Sequence, residues 1–183
     1  MEPQPRPIGI EARLTPPQKS RQEVAILGNA GQHVITAGEV LALAALTAGM
    51  DVSQKSEYDV TVLRGPSVTE VVLSPQPIDY HGSTAPTVVV ALAEEGVSAR
   101  RDLLNRISCD ALVLQAVGIE IPATAAELVQ VDFRAMGLKR SDWALAALCL
   151  LARMNRVVSR DMLRASLEMR FKDKIPEEVS LLV

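Results

Sequence analysis

The stretch Glu23–Ala45, reading EVAILGNAGQHVITAGEVLALAA, constrains the fold of this chain more than any other. EVAILG is a short apolar run bounded by polar residues and glycine, the pattern of a buried strand. Val34, Ala37, Gly38, Leu41, Ala44, Ala45 and Ala48 then recur at helical spacing, and Gly49 stands where a helix C-terminus favours glycine. The small residues on that face let the helix sit close to a sheet. A strand, a tight turn and a close-packed helix in that order open an α/β layer structure.

The rest of the chain continues the alternation. MDVSQKSEYDVTVLRGPSVTEVVLSPQPID reads as two strands around a turn at LRGPS, and a connection so short makes them antiparallel. SVTEVVLS alternates well enough to be half buried. APTVVVALAEEG is a second continuous β-branched run that ends at a helix start around Glu94 and Glu95, whose charges suit a first turn. SARRDLLNRI is amphipathic and helical, and CDALVLQAVGI is another buried strand. IPATAAELVQVDFRAMG combines a proline-started short helix with the strand-like LVQVDF. Two helices end the chain, SDWALAALCLLARMNRV behind a Ser141–Asp142 cap and SRDMLRASLEMRF behind Ser159 and an acidic first turn. Strands alternating with helices make an α/β fold whose sheet is mostly parallel, carries one antiparallel strand pair and has helices on both faces.

Ahead of this pattern lie residues 1–21, an extended Pro-rich arm, because each proline disfavours helix at its own position and at the one before. Such an arm is either a disordered linker or a contact with a partner. Residues 22–183 form a single domain of ordinary length. The arm has no apolar core of the kind a signal peptide needs, and no later window approaches the roughly 18 apolar residues of a membrane span. A soluble, cytoplasmic protein follows. The net charge of −3 disfavours nucleic acid and anionic membranes as partners. Cys109 and Cys149 stand alone, without C-x-x-C or a nearby His, so a disulfide framework and a metal site are not expected. No nucleophile–base spacing assigns a catalytic residue. Tyr58 reads as a core or interface ring.

The turn after the first strand carries the chemistry. Backbone N–H groups at a helix start lack intrahelical partners and lie at the positive end of the dipole, so an anion such as a phosphate suits them. Gly28 and Gly31 permit a close approach, Ala30 is nearly as small, and Asn29 tolerates left-handed dihedrals. His33 suits a helix cap or a packing contact. Arg64, beside the Gly65–Pro66 turn, is either a solvated surface residue or a clamp for a carboxylate or phosphate. The acid that an NAD-binding turn places about 20 residues on is not clear, since Asp51 is near but no conventional second unit follows. A plain strand-to-helix turn and an anion site both remain open on these residues alone.

Five stretches in order carry a resemblance: ILGNAGQHVITAGEVLALAALTAGMDV, SEYDVTVLRGPSVTEVVLSPQPID, PTVVVALAEEG, IPATAAEL and WALAALCLLARM. Over roughly residues 22–175 the chain resembles the gamma subunit, or gamma domain, of the 2-oxoacid:acceptor (ferredoxin) oxidoreductases. The resemblance implies a Rossmann-like three-layer fold and a non-catalytic subunit of a complex that oxidises a 2-oxo acid to acyl-CoA and CO2. It implies thiamine diphosphate, magnesium and iron–sulfur clusters in alpha, beta and delta-type partner subunits, with ferredoxin or another acceptor taking the electrons. For this chain it implies coenzyme A binding and complex assembly. The family turn G-x-G-G-Q-G is matched by Gly28, Gly31 and Gln32, with Asn29 between and Ala30 and His33 in place of glycines. Arg64 and Gly65 match its R-G-G, with Pro66 for the last glycine. The expected coenzyme A or anion contacts are therefore Gly28, Asn29, Ala30, Gly31, Gln32, His33, Arg64 and Gly65. The alternative is a purely structural subunit with a degenerate ligand loop. The 2-oxo acid itself is not legible.

Overall fold

The computed structural model describes residues 14–58, 64–79, 82–175 and 179. Residues 1–13, most of the expected arm, lie outside it. Its elements are β1 (Gln22–Asn29), α1 (Val34–Leu46), β2 (Asp51–Tyr58), β3 (Pro66–Ser74), β4 (Val88–Ala91), α2 (Glu94–Ala99), α3 (Arg101–Leu104), β5 (Leu112–Ala116), β6 (Glu127–Val131), α4 (Trp143–Arg153) and α5 (Arg160–Phe171).

The strands form one six-stranded sheet in the order β2-β3-β1-β4-β5-β6. β1, β4, β5 and β6 run parallel, while β3 is antiparallel to both β2 and β1. The expected antiparallel pair is thus β2 with β3. One correction follows from the order. β3 lies between two strands and is buried along nearly its whole length rather than half buried, because both of its faces are covered.

Helices cover the sheet unequally. On one face α1, α4 and α5 bury Val24, Ile26, Val71, Leu73, Val90 and Leu114 in the larger core. On the other, α2 and α3 bury Ala25, Leu27, Val68, Val89, Ala91 and Val113 in the smaller one. The successive β1 residues Val24, Ala25, Ile26 and Leu27 therefore point to alternate cores, as a two-sided buried strand requires.

Small residues decide how closely helices approach. A Cβ added at Gly38 of α1 would lie 2.6 Å from Gln54 Nε2 and 2.7 Å from Thr69 Oγ1, so this helix rests almost directly on β2 and β3. Gln54 Nε2 donates to Thr69 Oγ1 at 3.1 Å and to the Ile35 carbonyl at 3.2 Å, satisfying polar groups that the close approach buries. A Cβ on Gly96 of α2 would lie 2.4 Å from the Gly28 nitrogen and 2.6 Å from its oxygen, a contact of backbone on backbone.

Three local expectations are corrected. SARRDLLNRI is not one helix: α2 begins at Glu94 and is separated from the four-residue α3 by Arg100, the C-cap of one and N-cap of the other. IPAT forms no helix, and the segment 119–126 stays irregular before β6. Ser141 and Asp142 provide no side-chain cap, since Arg140–Asp142 forms a short 3-10 turn and α4 starts behind it. Ser159 does cap α5, accepting a hydrogen bond from the Met162 N–H at 3.3 Å. The described end of the arm lies on its own chain. The Leu14 N–H donates to the Thr47 carbonyl, and Gln18 bonds both Asn155 and Val157 in the turn between α4 and α5.

Candidate functional site

Parallel strands end together, and here the ends of β1, β4 and β5 put GNAGQH, ALAEEG and IPAT along one edge of the sheet. From β1 the chain rises into α1 on one face; from β4 it enters α2 on the other. The gap between those strand ends is a topological switch point, the place where open α/β sheets take ligands.

Gly28–His33 occupies that gap. Gly31 holds φ +85°, and a Cβ there would meet nothing within 4 Å, so the turn faces open space at this residue. His33 stands at the α1 N-cap with φ 51° and ψ 33°, and its exposed side chain makes no cap bond. Of the helix cap or packing contact expected of this histidine, the cap is absent. Gln32 is buried, 2% exposed. Its Oε1 accepts from the Asn29 N–H at 2.9 Å and its Nε2 donates to the Leu92 carbonyl at 3.3 Å. A Cβ on Gly28 would lie 2.5 Å from Val34 and 2.8 Å from Gln32 Oε1, so only glycine lets the turn fold back over itself.

The second predicted loop arrives at the same place. The Ala30 N–H donates to the Gly65 carbonyl at 3.0 Å, and Asn29 pairs with Pro66 in the β1–β3 register. Exposed Arg64 is thereby set beside the turn. Hydrogen-bonded pairs alternate along an antiparallel ladder. The nitrogen of Pro66 therefore faces β2, where the β2–β3 ladder ends at Tyr58 opposite Ser67. The donor that proline lacks is one on the β2 side, not one aimed at the turn. Tyr58 itself is 62% exposed and is no core ring.

ALAEEG supplies contacts that the sequence pattern did not assign to the site. The Leu92 N–H donates to the Leu27 carbonyl at 2.7 Å, Asn29 Nδ2 donates to Glu95 Oε1 at 3.3 Å, and Gly96 lies on Gly28. Glu94 and Glu95 do sit in the first turn of α2, as expected. Glu95 also reaches across to the β1–α1 turn. Gly96, a glycine inside a helical stretch, was the sequence signal for so close a helix.

Two hollows lie against α2. One of about 340 Å³ is lined by Glu57, Tyr58, Pro66, Val68, Ala99 and Arg100. Arg100 there bridges Glu57 and Glu70 at 2.7 Å each. Hydrogen bonds from Arg100 hold the Glu57 carboxyl below its usual range. The other, about 190 Å³, lies between α2 and the IPAT loop and is lined by Glu94, Val97, Ser98, Arg101, Glu120, Ile121 and Pro122.

Among the described residues no group of three or more His, Cys, Asp and Glu is placed to hold a metal ion. Burial pushes the Cys149 thiol up to about 12, which keeps it protonated and a poor ligand. No described helix is long and apolar enough to cross a membrane.

The chain matches the model of the family described as pyruvate ferredoxin/flavodoxin oxidoreductase over residues 23–180. It is 26% identical over 173 residues to a 2-oxoglutarate synthase subunit KorC of Methanocaldococcus jannaschii, covering 90% of each chain. Its fold is similar to the gamma subunit of a keto/oxoacid ferredoxin oxidoreductase from Geobacter sulfurreducens, with a TM-score of 0.68 at 22% identity over 89% of this chain and 90% of that one. A 2-oxoglutarate:ferredoxin oxidoreductase from Magnetococcus marinus, solved with 2-oxoglutarate, coenzyme A and succinyl-CoA, gives a TM-score of 0.73 at 17% identity. The match covers 90% of this chain but spans only 29% of the Magnetococcus chain.

Proposed function

The chain belongs to the pyruvate ferredoxin/flavodoxin oxidoreductase family, and from that premise we propose that its β1–α1 turn helps hold coenzyme A for the oxidation of a 2-oxo acid. It is a gamma subunit of a 2-oxoacid:ferredoxin oxidoreductase complex, not a complete enzyme. Thiamine diphosphate, magnesium and the iron–sulfur clusters belong in this reading to alpha, beta and delta-type partners. The residues described here do not fit a cluster, with one thiol exposed, the other buried and protonated, and no assembled donor set. The relatives named as 2-oxoglutarate synthase subunits make 2-oxoglutarate the first substrate to assay.

The observation that carries the proposal is the Ala30–Gly65 hydrogen bond, which brings the helix-start turn and the Arg64 loop to one switch point. The residues fit an anionic ligand. Gly31 leaves its side-chain space empty, the start of the 13-residue α1 presents N–H groups without intrahelical partners, and exposed Arg64 offers a planar fork for a phosphate. Gly31, His33 and Arg64 are the outward-facing members of the predicted set. Gly28 and Gly65 shape the backbone behind them. When bound, coenzyme A supplies the thiol that accepts the acyl group; this chain holds and orients its anionic part.

Arg64→Ala in the assembled complex is expected to raise the KM for coenzyme A about tenfold, the scale of one lost charge-assisted contact of about 1.4 kcal/mol, while assembly persists. Steady-state assays beside gel filtration of the complex measure both. An unchanged KM favours the second reading, a structural subunit with a degenerate loop. That reading has its own support, because the N–H groups of Asn29, Ala30 and Gln32 are already bonded within the chain and Glu95 places a carboxylate beside the turn.

A further inference from the structure

Gln32 lies across the switch point with both ends of its amide engaged, accepting from the Asn29 N–H and donating to the carbonyl of Leu92, the residue that follows β4. At 2% exposure with both groups bonded, this side chain is not available to a phosphate. The residues around it, however, hold unusual conformations. Gly31 at φ +85° is at ease there, whereas His33 at φ 51° is not. Such backbones persist only where their surroundings over-determine them. Around this turn the fixing contacts are the Gln32 amide, the Ala30–Gly65 bond and the Asn29–Glu95 bond. The Gln32 Nε2–Leu92 bond is buried, and it joins the turn to the residue that follows β4 on the far side of the gap, whereas the Asn29–Glu95 bond is exposed.

We propose that Gln32 is a positioning residue for coenzyme A: it does not touch the ligand, but it locks the β1–α1 turn to β4 in the shape that presents the Gly31–His33 backbone and the start of α1. The proposal rests on the coenzyme A reading of the turn. Without the amide, the Leu92 carbonyl and the Asn29 N–H lose their partner, and the turn relaxes to satisfy them. The binding surface is then present but no longer pre-formed, so the ligand must order it on arrival.

The test uses the complex co-expressed with its partner subunits, assayed for coenzyme A-dependent oxidation of 2-oxoglutarate with a dye acceptor. Gln32→Leu is expected to raise the KM for coenzyme A about tenfold with kcat held within about twofold, since uniform binding and not the chemical step is affected. Gln32→Glu keeps the shape and adds a second readout. Protonated, its carboxyl offers one donor and one acceptor, the pair of roles the amide uses here; ionised, it has only acceptors and faces the Leu92 carbonyl. Burial raises its pKa. The ratio of variant to wild-type KM is therefore expected to fall toward one as the pH is lowered. His33 of the same turn, Glu94 and Glu95 at the start of α2, and Arg64 of the facing loop are present in both proteins and cancel in the ratio. An unchanged KM in Gln32→Leu, a ratio flat with pH, or a loss of kcat together with a lowered melting temperature in both variants overturns the positioning role. A wild-type complex that turns over without saturable dependence on coenzyme A overturns the reading beneath it instead.

Discussion

His33 holds a backbone conformation that a β-carbon disfavours. A left-handed residue other than glycine costs about 1–2 kcal/mol, partly offset on substitution by the greater freedom glycine has when unfolded. His33→Gly is therefore expected to stabilise the chain by roughly 0.5 kcal/mol, read from a shift in the midpoint of denaturant unfolding with the slope unchanged. A destabilised variant would mean that the imidazole makes a compensating contact. Gln32 is the opposite case, a polar residue in a polar motif whose groups are used wholly inside the protein. Sequence alone placed both in one ligand loop; that one faces out and the other in depends on Leu92, sixty residues away.

At the scale of elements, motifs that stand apart along the chain form one unit. GNAGQH, RGPS and ALAEEG are joined by the Ala30–Gly65, Gln32–Leu92 and Asn29–Glu95 bonds and by the contact of Gly96 with Gly28. Gly96→Ala places a methyl group 2.4 Å from a backbone nitrogen that cannot yield without moving β1. It is expected to cost about 1–3 kcal/mol, as overpacking does, measured by equilibrium unfolding of the isolated chain. Stability equal to wild type would show that α2 can lift from the turn. The strand and helix periods were legible because α1, β1, β4 and β5 are long or continuous apolar runs. IPAT, a proline-started apolar segment, suits a helix locally, but in the connection between β5 and the edge strand β6 it stays irregular.

For the whole molecule, the two faces of the sheet differ in how they are secured. Beside the thinner α2–α3 face, buried Glu23 gathers the loop before β4, accepting from Ser83 Oγ at 3.0 Å and from the Thr84 and Ala85 N–H groups at 2.8 and 2.9 Å. Burial alone would raise its pKa, but these donors and Arg21 outweigh that and hold the carboxyl below the usual glutamate range. The folded chain thus binds this proton less readily than the unfolded chain. The associated stability is present above the ordinary pKa of about 4.3 and is lost as the pH falls through the lower folded value. Glu23→Gln is expected to be less stable than wild type at pH 7 and to show a smaller loss between about pH 5 and pH 3. Parallel acid-unfolding curves for the two proteins would contradict this. Hydrophobic period, turn length and the placing of glycines are local properties, so the α/β class, the antiparallel β2–β3 pair and the position of the β1–α1 turn are legible in the residues themselves. The folded arrangement alone makes β3 an interior strand, joins the end of β1 to Leu92 through Gln32, turns the Pro66 nitrogen away from the turn and clamps that turn with α2. Those outcomes follow from strand order and from contacts between residues distant in the chain, which no local pattern encodes.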